Sequence, residues 1–161
     1  MISKTEVGVN LAELMIRPML ESDLAAVTNL EQVTQVVPWT MAIFMDCLRV
    51  GYRGFVVECN HEVIGFVILA SAAGESHILN LAVSPSKQGQ GIGYWLMQHI
   101  LSELQQQGIN LVFLEVRASN LKAQKLYKKL NFTEIGQRKN YYQTKQGRED
   151  AIVMSLNINN A

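Results

Sequence analysis

Residues 77–97, HILNLAVSPSKQGQGIGYWLM, contain the pattern from which the fold can best be predicted. Residues 77–83 are rich in strand-forming side chains, and Pro85 predicts the end of that strand because proline cannot donate to a sheet ladder. From residue 91 to residue 107, apolar side chains recur at the spacing of a helix. The loop between the predicted strand and the predicted helix contains three glycines, Gly89, Gly91 and Gly93.

This glycine-rich loop predicts an anion-binding site. Glycines leave backbone N–H groups unshielded, and the first N–H groups of a helix lack partners at the positive end of its dipole. Alternatively, the glycines only let the helix pack closely against the strand, since a lone glycine motif is a weak signal. A P-loop is not supported, because no lysine follows the glycines. A dinucleotide fingerprint would need a glycine at Tyr94, although Glu115 lies where its acidic residue would.

Outward from this stretch, the hydrophobic pattern alternates between strand and helix periods. Asn60-His61 is expected to turn a hairpin, and the strand–helix–strand order across 78–116 implies a parallel pair joined by a right-handed crossover. We therefore expect an α/β (α+β) fold, with a single mixed sheet of about seven strands flanked by about four helices. Strands are predicted at 14–18, 55–59, 63–69, 77–83, 111–116, 132–138 and 149–157, and helices after Ser22-Asp23, after Thr40, at 91–107 and at 121–130.

Two short helices are expected near the amino terminus. Ser22-Asp23 is expected to cap the first and Thr40 the second. The second helix is expected to stop at Gly51 and to bury apolar side chains against the sheet. Those side chains are Ile43, Phe44 and either Cys47 or Leu48.

The remaining segments carry distinct expectations. The nearly continuous apolar run at 111–116 is typical of a strand covered on both faces. Residues 139–148 are expected to form a polar loop between the last two strands. Residues 1–13 follow neither period, so we expect a loose extension there and a single domain over 14–161.

Composition excludes several classes of function. The chain has 161 residues, 48% hydrophobic, with 14 basic and 14 acidic side chains, so no net charge attracts a nucleic acid. Cys47 and Cys59 lack metal-ligand spacing, and the three histidines form no metal or triad pattern, so we expect no metal. The longest apolar stretch, 63–73, is about half of the roughly 20 residues that a membrane span needs. We expect a cytoplasmic protein without membrane or nucleic-acid partners.

The motif Gln88-x-x-Gly91-x-Gly93, between a strand and a long helix, resembles the pyrophosphate loop of the GCN5-related N-acetyltransferase (GNAT) superfamily. The resemblance covers roughly residues 14–158 and is greatest for the RimI type, which acetylates the N-terminal alanine of a small-subunit ribosomal protein. This loop has Gly89 and Gln90 where the family usually carries Arg or Lys, so backbone donors would bind more of the pyrophosphate. The segments of finer match are Pro38-Trp39-Thr40, Asn80-x-Ala82-Val83, Leu114-Glu115-Val116-Arg117-x-Ser119-Asn120, Tyr127, Arg138-x-Asn140-Tyr141-Tyr142 and Glu149-Asp150-Ala151.

The resemblance implies acetyl-CoA as the acetyl donor and assigns residues to it. The strand backbone of Leu81, Ala82 and Val83 would bind the pantetheine amides, and the glycine loop would bind the pyrophosphate. Asn120 would cap a helix and also bind the cofactor. Trp39, Tyr141 and Tyr142 would line the entrance for the substrate peptide; the alternative for Trp39, which follows a proline, is a plain core residue. The implied cofactor-binding residues are Leu81, Ala82, Val83, Gln88, Gly89, Gln90, Gly91, Ile92, Gly93, Tyr94 and Asn120.

Two residues are candidates for the chemistry of acetyl transfer. Glu115 interrupts an apolar strand beside the implied thioester site, so it is the candidate base; the alternative is a carboxylate paired with Arg117 or with the carboxy-terminal tail. The resemblance places Tyr127 against the sulfur, where its phenol would be the acid; without it, Tyr127 is a core tyrosine.

Other functions stay open at this stage. The same fold could acetylate lysines, polyamines or small-molecule amines, and a non-catalytic sensor could keep the acyl-CoA site without a working base or acid. A dinucleotide oxidoreductase is the most distant alternative.

Overall fold

The computed structural model describes residues 8–160, which contain one seven-stranded mixed sheet and four α-helices. The strand order is β1-β2-β3-β4-β5-β7-β6, and every neighbouring pair is antiparallel except β4 and β5. The predicted fold class and the parallel pair joined by a helix are confirmed. The strands are β1 Met15–Pro18, β2 Arg53–Cys59, β3 Glu62–Ala72, β4 Glu75–Val83, β5 Leu111–Arg117, β6 Thr133–Thr144 and β7 Gly147–Asn157; the helices are α1 Leu24–Thr34, α2 Met41–Arg49, α3 Ile92–Gln106 and α4 Leu121–Lys129.

The sheet separates two hydrophobic cores. One contains the buried side chains of α1 and α2, among them Leu24 and Phe44. The other contains the buried side chains of α3 and α4, among them Leu96 and Tyr127. Strand β4 contributes to both cores, since Ile78 belongs to the core of α3 and α4 and Ala82 to the core of α1 and α2.

Short local signals in the sequence are confirmed by the backbone. Asn60 and His61 both have positive φ, 51° and 65°, as a tight hairpin turn requires. The Thr40 side chain accepts a hydrogen bond from the N–H of Ile43 at 3.3 Å and so caps α2. Gly51 follows α2 with φ 90°.

Four expectations that depend on surroundings are wrong. Ile43 is 42% exposed, because α2 turns Phe44 and Cys47 to the sheet instead. The Asp23 side chain does not cap α1; it accepts from Arg17 at 2.7 Å. Residues 139–148 extend the β6–β7 hairpin around a bulge rather than forming a loop. Strand β5 buries alternate residues, because α1 and α2 lie over other strands.

The amino-terminal segment approaches the glycine loop. Residues 1–7 of the expected extension lie outside the described residues. Residues Leu11–Glu13 form a 3-10 turn, and the N–H of Val9 donates to the Gln90 side chain at 2.6 Å. No helix among residues 8–160 is long and apolar enough to cross a membrane.

Candidate active site

A cleft opens where β4 and β5 separate. The two strands pair only from Glu75 opposite Leu111 to Ile78 opposite Leu114. Beyond this point β4 continues along β3 while β5 continues along β7. Leu79 is a bulge in β4, since Ile68 pairs with Asn80 and Leu69 with Ile78. The cavity between the strands is lined by Glu31, Gln35, Val37, Trp39, Ile78, Leu79, Asn80, Leu81, Leu114, Glu115, Val116, Arg117, Asn120, Ala123, Tyr127 and Tyr142.

The candidate base Glu115 lies in this cavity and is also ion-paired. Its side chain is 6% exposed, one carboxylate oxygen is 3.5 Å from the Arg138 guanidinium, and the other is hydrogen-bonded to His77 Nε2. The partner in the tail is therefore Arg138 on β6, whereas Arg117 pairs with Glu149 at 3.4 Å. Glu115 is thus an ion-paired carboxylate that also lines the cavity, and its role as the base stays a prediction.

Tyr127 is a core residue that also lines the cavity. It is 7% exposed and packs against Phe132 with ring centroids 5.8 Å apart. Burial raises the pKa of Tyr127 to about 12, so the phenol keeps its proton at neutral pH. Its hydroxyl has no hydrogen-bond partner within the described part of the chain. The hydroxyl oxygen is not completely enclosed by protein atoms. The hydroxyl is thus available to a molecule in the cavity.

Two of the three aromatic residues predicted to bind the substrate line the cavity. Trp39 lines it and packs against Phe44, with ring centroids 5.3 Å apart. Tyr142 lines it beneath the Arg117 guanidinium, and burial followed by the negative charge of Glu115 raises the Tyr142 pKa. Tyr141 lies outside the cavity; it is 43% exposed and its ring meets the Tyr142 ring edge-on.

A second carboxylate, Glu31, was missed by sequence reasoning. It comes from α1, is 1% exposed, and lines the same cavity. Its carboxylate accepts from the N–H of Trp39 at 3.0 Å and from the Asn80 amide at 2.9 and 3.1 Å. Desolvation by burial raises the Glu31 pKa. The available signal was its position at helical spacing from Val27, on the apolar side of α1.

The glycine loop has room for a group that approaches its backbone. Gly89 and Gly91 have positive φ, 79° and 81°, and a Cβ at either would meet nothing within 4 Å. The N–H groups of residues 89–91 donate to none of the described residues. Gln88 donates from its side chain to the Val83 carbonyl at 3.0 Å, and Gln90 accepts from Val9.

The other predicted cofactor residues occupy three settings. Gly93 lies in the first turn of α3, where a Cβ would come within 3.3 Å of Leu126. The Ile92 side chain is buried in the core, and Tyr94 packs against that core. The buried Ile92 side chain is therefore not available to a ligand, whereas the backbone of this first helical turn and the half-buried Tyr94 are.

Asn120 joins the cavity to α4. Its side chain accepts from the N–H of Ala123 at 3.1 Å, which caps the helix, and the residue lines the cavity. Leu81 also lines the cavity, whereas Ala82 and Val83 continue the β4 edge toward the glycine loop. The β4 edge beyond Ile78 has no strand partner on the β5 side. An elongated ligand with amides and phosphates, such as an acyl-CoA, fits this edge and loop.

No group of three or more His, Cys, Asp or Glu side chains that could hold a metal occurs within residues 8–160.

Comparison with known proteins identifies the family. The model of the acetyltransferase (GNAT) family matches residues 21–132. The [ribosomal protein bS18]-alanine N-acetyltransferase of Escherichia coli K12 is 39% identical over 137 residues, covering 85% of this chain and 93% of that protein. The Haemophilus ducreyi protein of the same name is 36% identical, covering 88% and 99%.

Two solved structures have the same fold as this chain. The crystal structure of the Escherichia coli ribosomal-protein-S18-alanine N-acetyltransferase has a TM-score of 0.85 at 38% identity, covering 90% of this chain and 94% of that one. Ard1 from Thermoplasma volcanium has a TM-score of 0.82 at 28% identity, covering 90% and 97%. With its sheet, its split between β4 and β5 and its match over residues 21–132, the chain belongs to the GNAT family of N-acetyltransferases.

Proposed function

We propose that this protein transfers an acetyl group from acetyl-CoA to the N-terminal alanine of a small-subunit ribosomal protein of the bS18 type, in the cytoplasm. The observation that carries the proposal is the 39% identity, over most of both chains, to a protein named for this activity. The convergence of Glu115 and Tyr127 on one cavity supports it. We assign the activity to a single domain of residues 14–161.

Acetyl-CoA, when bound, supplies the acetyl group as a thioester and leaves as a thiol. The β4 backbone of Leu81, Ala82 and Val83 would bind the pantetheine amides, because this edge has no strand partner on the β5 side. The free N–H groups of the glycine loop would bind the pyrophosphate at the start of α3. Asn120 would add a side-chain contact from the cap of α4.

Glu115 would receive the proton that the attacking amine must lose, directly or through a water molecule. An α-ammonium has a pKa of about 8, against about 10.4 for lysine, so roughly a tenth of an N-terminal amine is neutral at pH 7. A carboxylate is therefore a sufficient base for this substrate. His77 and Arg138 hold both oxygens of Glu115 and so orient it in the cavity.

Tyr127 would hold the proton that the leaving thiolate needs. Its pKa, raised to about 12 by burial, keeps the phenol protonated at working pH, and its hydroxyl has no partner among the described residues. Trp39 and Tyr142 would flank the peptide where it enters the cavity. Tyr141, outside the cavity, would meet only residues of the peptide farther from its amino terminus.

The test is acetyl transfer to two peptides, followed by mass spectrometry. One peptide begins Ala-Arg with a free amine, and the other has a blocked amino terminus and a free lysine. We expect transfer to the first, and preference for the second would overturn the proposal in favour of a lysine acetyltransferase. Thermal stabilisation by acetyl-CoA and CoA but not by NAD is expected, since ligands that bind the folded state raise its stability. Binding of acetyl-CoA without turnover of any amine would indicate a sensor instead.

A further inference from the structure

The ionisable side chains that line the cavity differ in whether other residues of the protein balance their charge. Glu115 faces two partners, His77 and Arg138. Arg117, the cation that lines the cavity, is paired with Glu149 and also donates to the Gln143 carbonyl at 2.8 Å. Tyr127 and Tyr142 remain neutral because burial raises the pKa of each. The other carboxylate that lines the cavity is Glu31.

Glu31 has only neutral partners among residues 8–160. The N–H of Trp39 and the amide of Asn80 donate to it, and no Lys, Arg or His nitrogen of the described chain lies within 4 Å of it. Two donors and three hydrogen bonds suit an ionised carboxylate, which only accepts. Buried charges in proteins are normally paired with an opposite charge, so a cationic ligand would complete this site.

We propose that Glu31 binds the cationic amino terminus of the substrate in the cavity. This inference rests on the proposed function, since it takes the substrate to be a peptide with a free α-amine. Glu31 binds the ammonium form on arrival, and Glu115, on the β5 side, accepts the proton as the amine reacts. The ammonium first gives one proton to a Glu115 oxygen and from there to solvent, and the freed electron pair of the nitrogen forms the bond to the acetyl carbon. As the C–S bond breaks, Tyr127 gives its proton to the leaving sulfur, and the second proton lost by the nitrogen restores the phenol.

A purely structural role for Glu31 makes a different prediction. Its hydrogen bonds join the loop that carries Trp39 to Asn80, next to the β4 bulge. If Glu31 only stabilises this contact, its charge is irrelevant. In that case Asn80→Ala should weaken peptide binding as much as Glu31→Gln does. If Glu31 binds the ammonium, the charge matters, and Asn80→Ala leaves that charge in place.

The experiment measures peptide binding without turnover, by calorimetry in the presence of CoA. Two peptides are compared, one beginning Ala-Arg and one identical except that hydrogen replaces the α-amine. We expect the wild type to prefer the amine by about tenfold, as one charge-assisted hydrogen bond predicts. Glu31→Gln should reduce this preference to about twofold or less, and Asn80→Ala should retain it. Retention in Glu31→Gln, or equal loss in Asn80→Ala, would overturn the proposal.

A pH series on the wild type needs no variant and covers the case in which Glu31→Gln fails to fold. The amine loses its charge around pH 8, so the preference should vanish between pH 7 and pH 10. The groups that face Glu31 across the cavity are Glu115, Arg117, Tyr127 and Tyr142. The peptide without the amine controls for them, since it meets the same protein charges. A preference that persists at pH 10 would overturn the proposal.

Acetyl transfer measured in parallel separates the two claims. No transfer by the wild type to the Ala-Arg peptide would overturn the proposed function. Transfer by the wild type, with the same peptide KM in Glu31→Gln, would overturn only the role of Glu31. We expect KM to rise about tenfold with a smaller change in kcat, because an interaction with the ground-state ammonium is lost.

Discussion

The cleft has two walls, each with one carboxylate, and the two carboxylates are held differently. On the β4 side, Glu31 reaches down from α1 and meets only neutral donors, the N–H of Trp39 and the amide of Asn80. On the β5 side, Glu115 meets Arg138 and His77. Both side chains are almost fully buried, at 1% exposure for the Glu31 residue and 6% for the Glu115 side chain.

Burial alone therefore does not define the role of a carboxylate. A carboxylate with a histidine on one oxygen and an arginine on the other is oriented, and the arginine balances its charge within the protein. A carboxylate with only neutral donors is oriented too, but an opposite charge from a ligand is needed to balance it. We therefore expect the β5 wall to control the rate of acetyl transfer and the β4 wall to control substrate binding.

The largest effect is expected from Glu115→Gln. Loss of the base should lower kcat by about 10²–10³-fold, within the range for general acid–base catalysis, while the peptide KM changes little. Steady-state kinetics at saturating acetyl-CoA measures both, and Glu62→Gln, at an exposed carboxylate, is the matched control. A Glu115→Gln variant that changed KM but kept kcat would show that the two walls do not divide the work in this way.

A smaller loss of kcat, about 10²-fold or less, is expected from Tyr127→Phe, because this change removes the proposed acid. The phenylalanine ring has nearly the same shape, so it keeps the packing of the tyrosine ring. Burial raises the Tyr127 pKa to about 12, so the wild type should show no loss of rate from ionisation of Tyr127 below about that pH. The check is a pH–rate profile of both proteins. Tyr52→Phe, at a 41% exposed tyrosine, is the control, and equal rates for Tyr127→Phe and the wild type would remove Tyr127 from the mechanism.

The smallest effect is the pH dependence of stability caused by Glu31. Desolvation raises its pKa in the folded protein above its ordinary 4.5, so its contribution is greatest below pH 4.5 and declines as the pH rises through the folded value. The Tm of the wild type, minus that of Glu31→Gln, should therefore fall from pH 4 to pH 8, with about 2–4 °C for each kcal/mol in a chain of this size. Thermal unfolding at each pH measures the difference. A difference that rises with pH would mean that the free protein already compensates this charge.

Much of the fold could be predicted because its signals are local. The helical period of α3, the Asn60-His61 turn and the Thr40 cap each depend on residues within a few positions of one another. Predictions that depended on what packs above an element were wrong, as with Ile43 on α2 and the open face of β5. Neighbours distant in sequence decide which face of an element is covered.

The candidate site divides in the same way. Glu115 could be found because one carboxylate interrupts an apolar run, and the glycine loop because three glycines precede a helix. Glu31 could not be assigned, because its partner Asn80 is 49 residues away and the contact exists only once α1 packs on β4. The pairing of Glu115 with His77 likewise requires the parallel register of β4 and β5.

Periodicity, turn chemistry and motif spacing act over short distances, so the order of elements and the glycine loop could be predicted from the amino-acid sequence. Glu115 stood out as one carboxylate in an apolar run, whereas Tyr127 became a candidate only through the resemblance to the family. The separation of β4 and β5 after Ile78 and Leu114, and the cavity that Glu31 and Glu115 both line, exist only in the folded chain. The balance of a buried charge depends on all the groups that packing brings around it. Those groups come from α1, β4, β5 and β6, which only the folded chain places together.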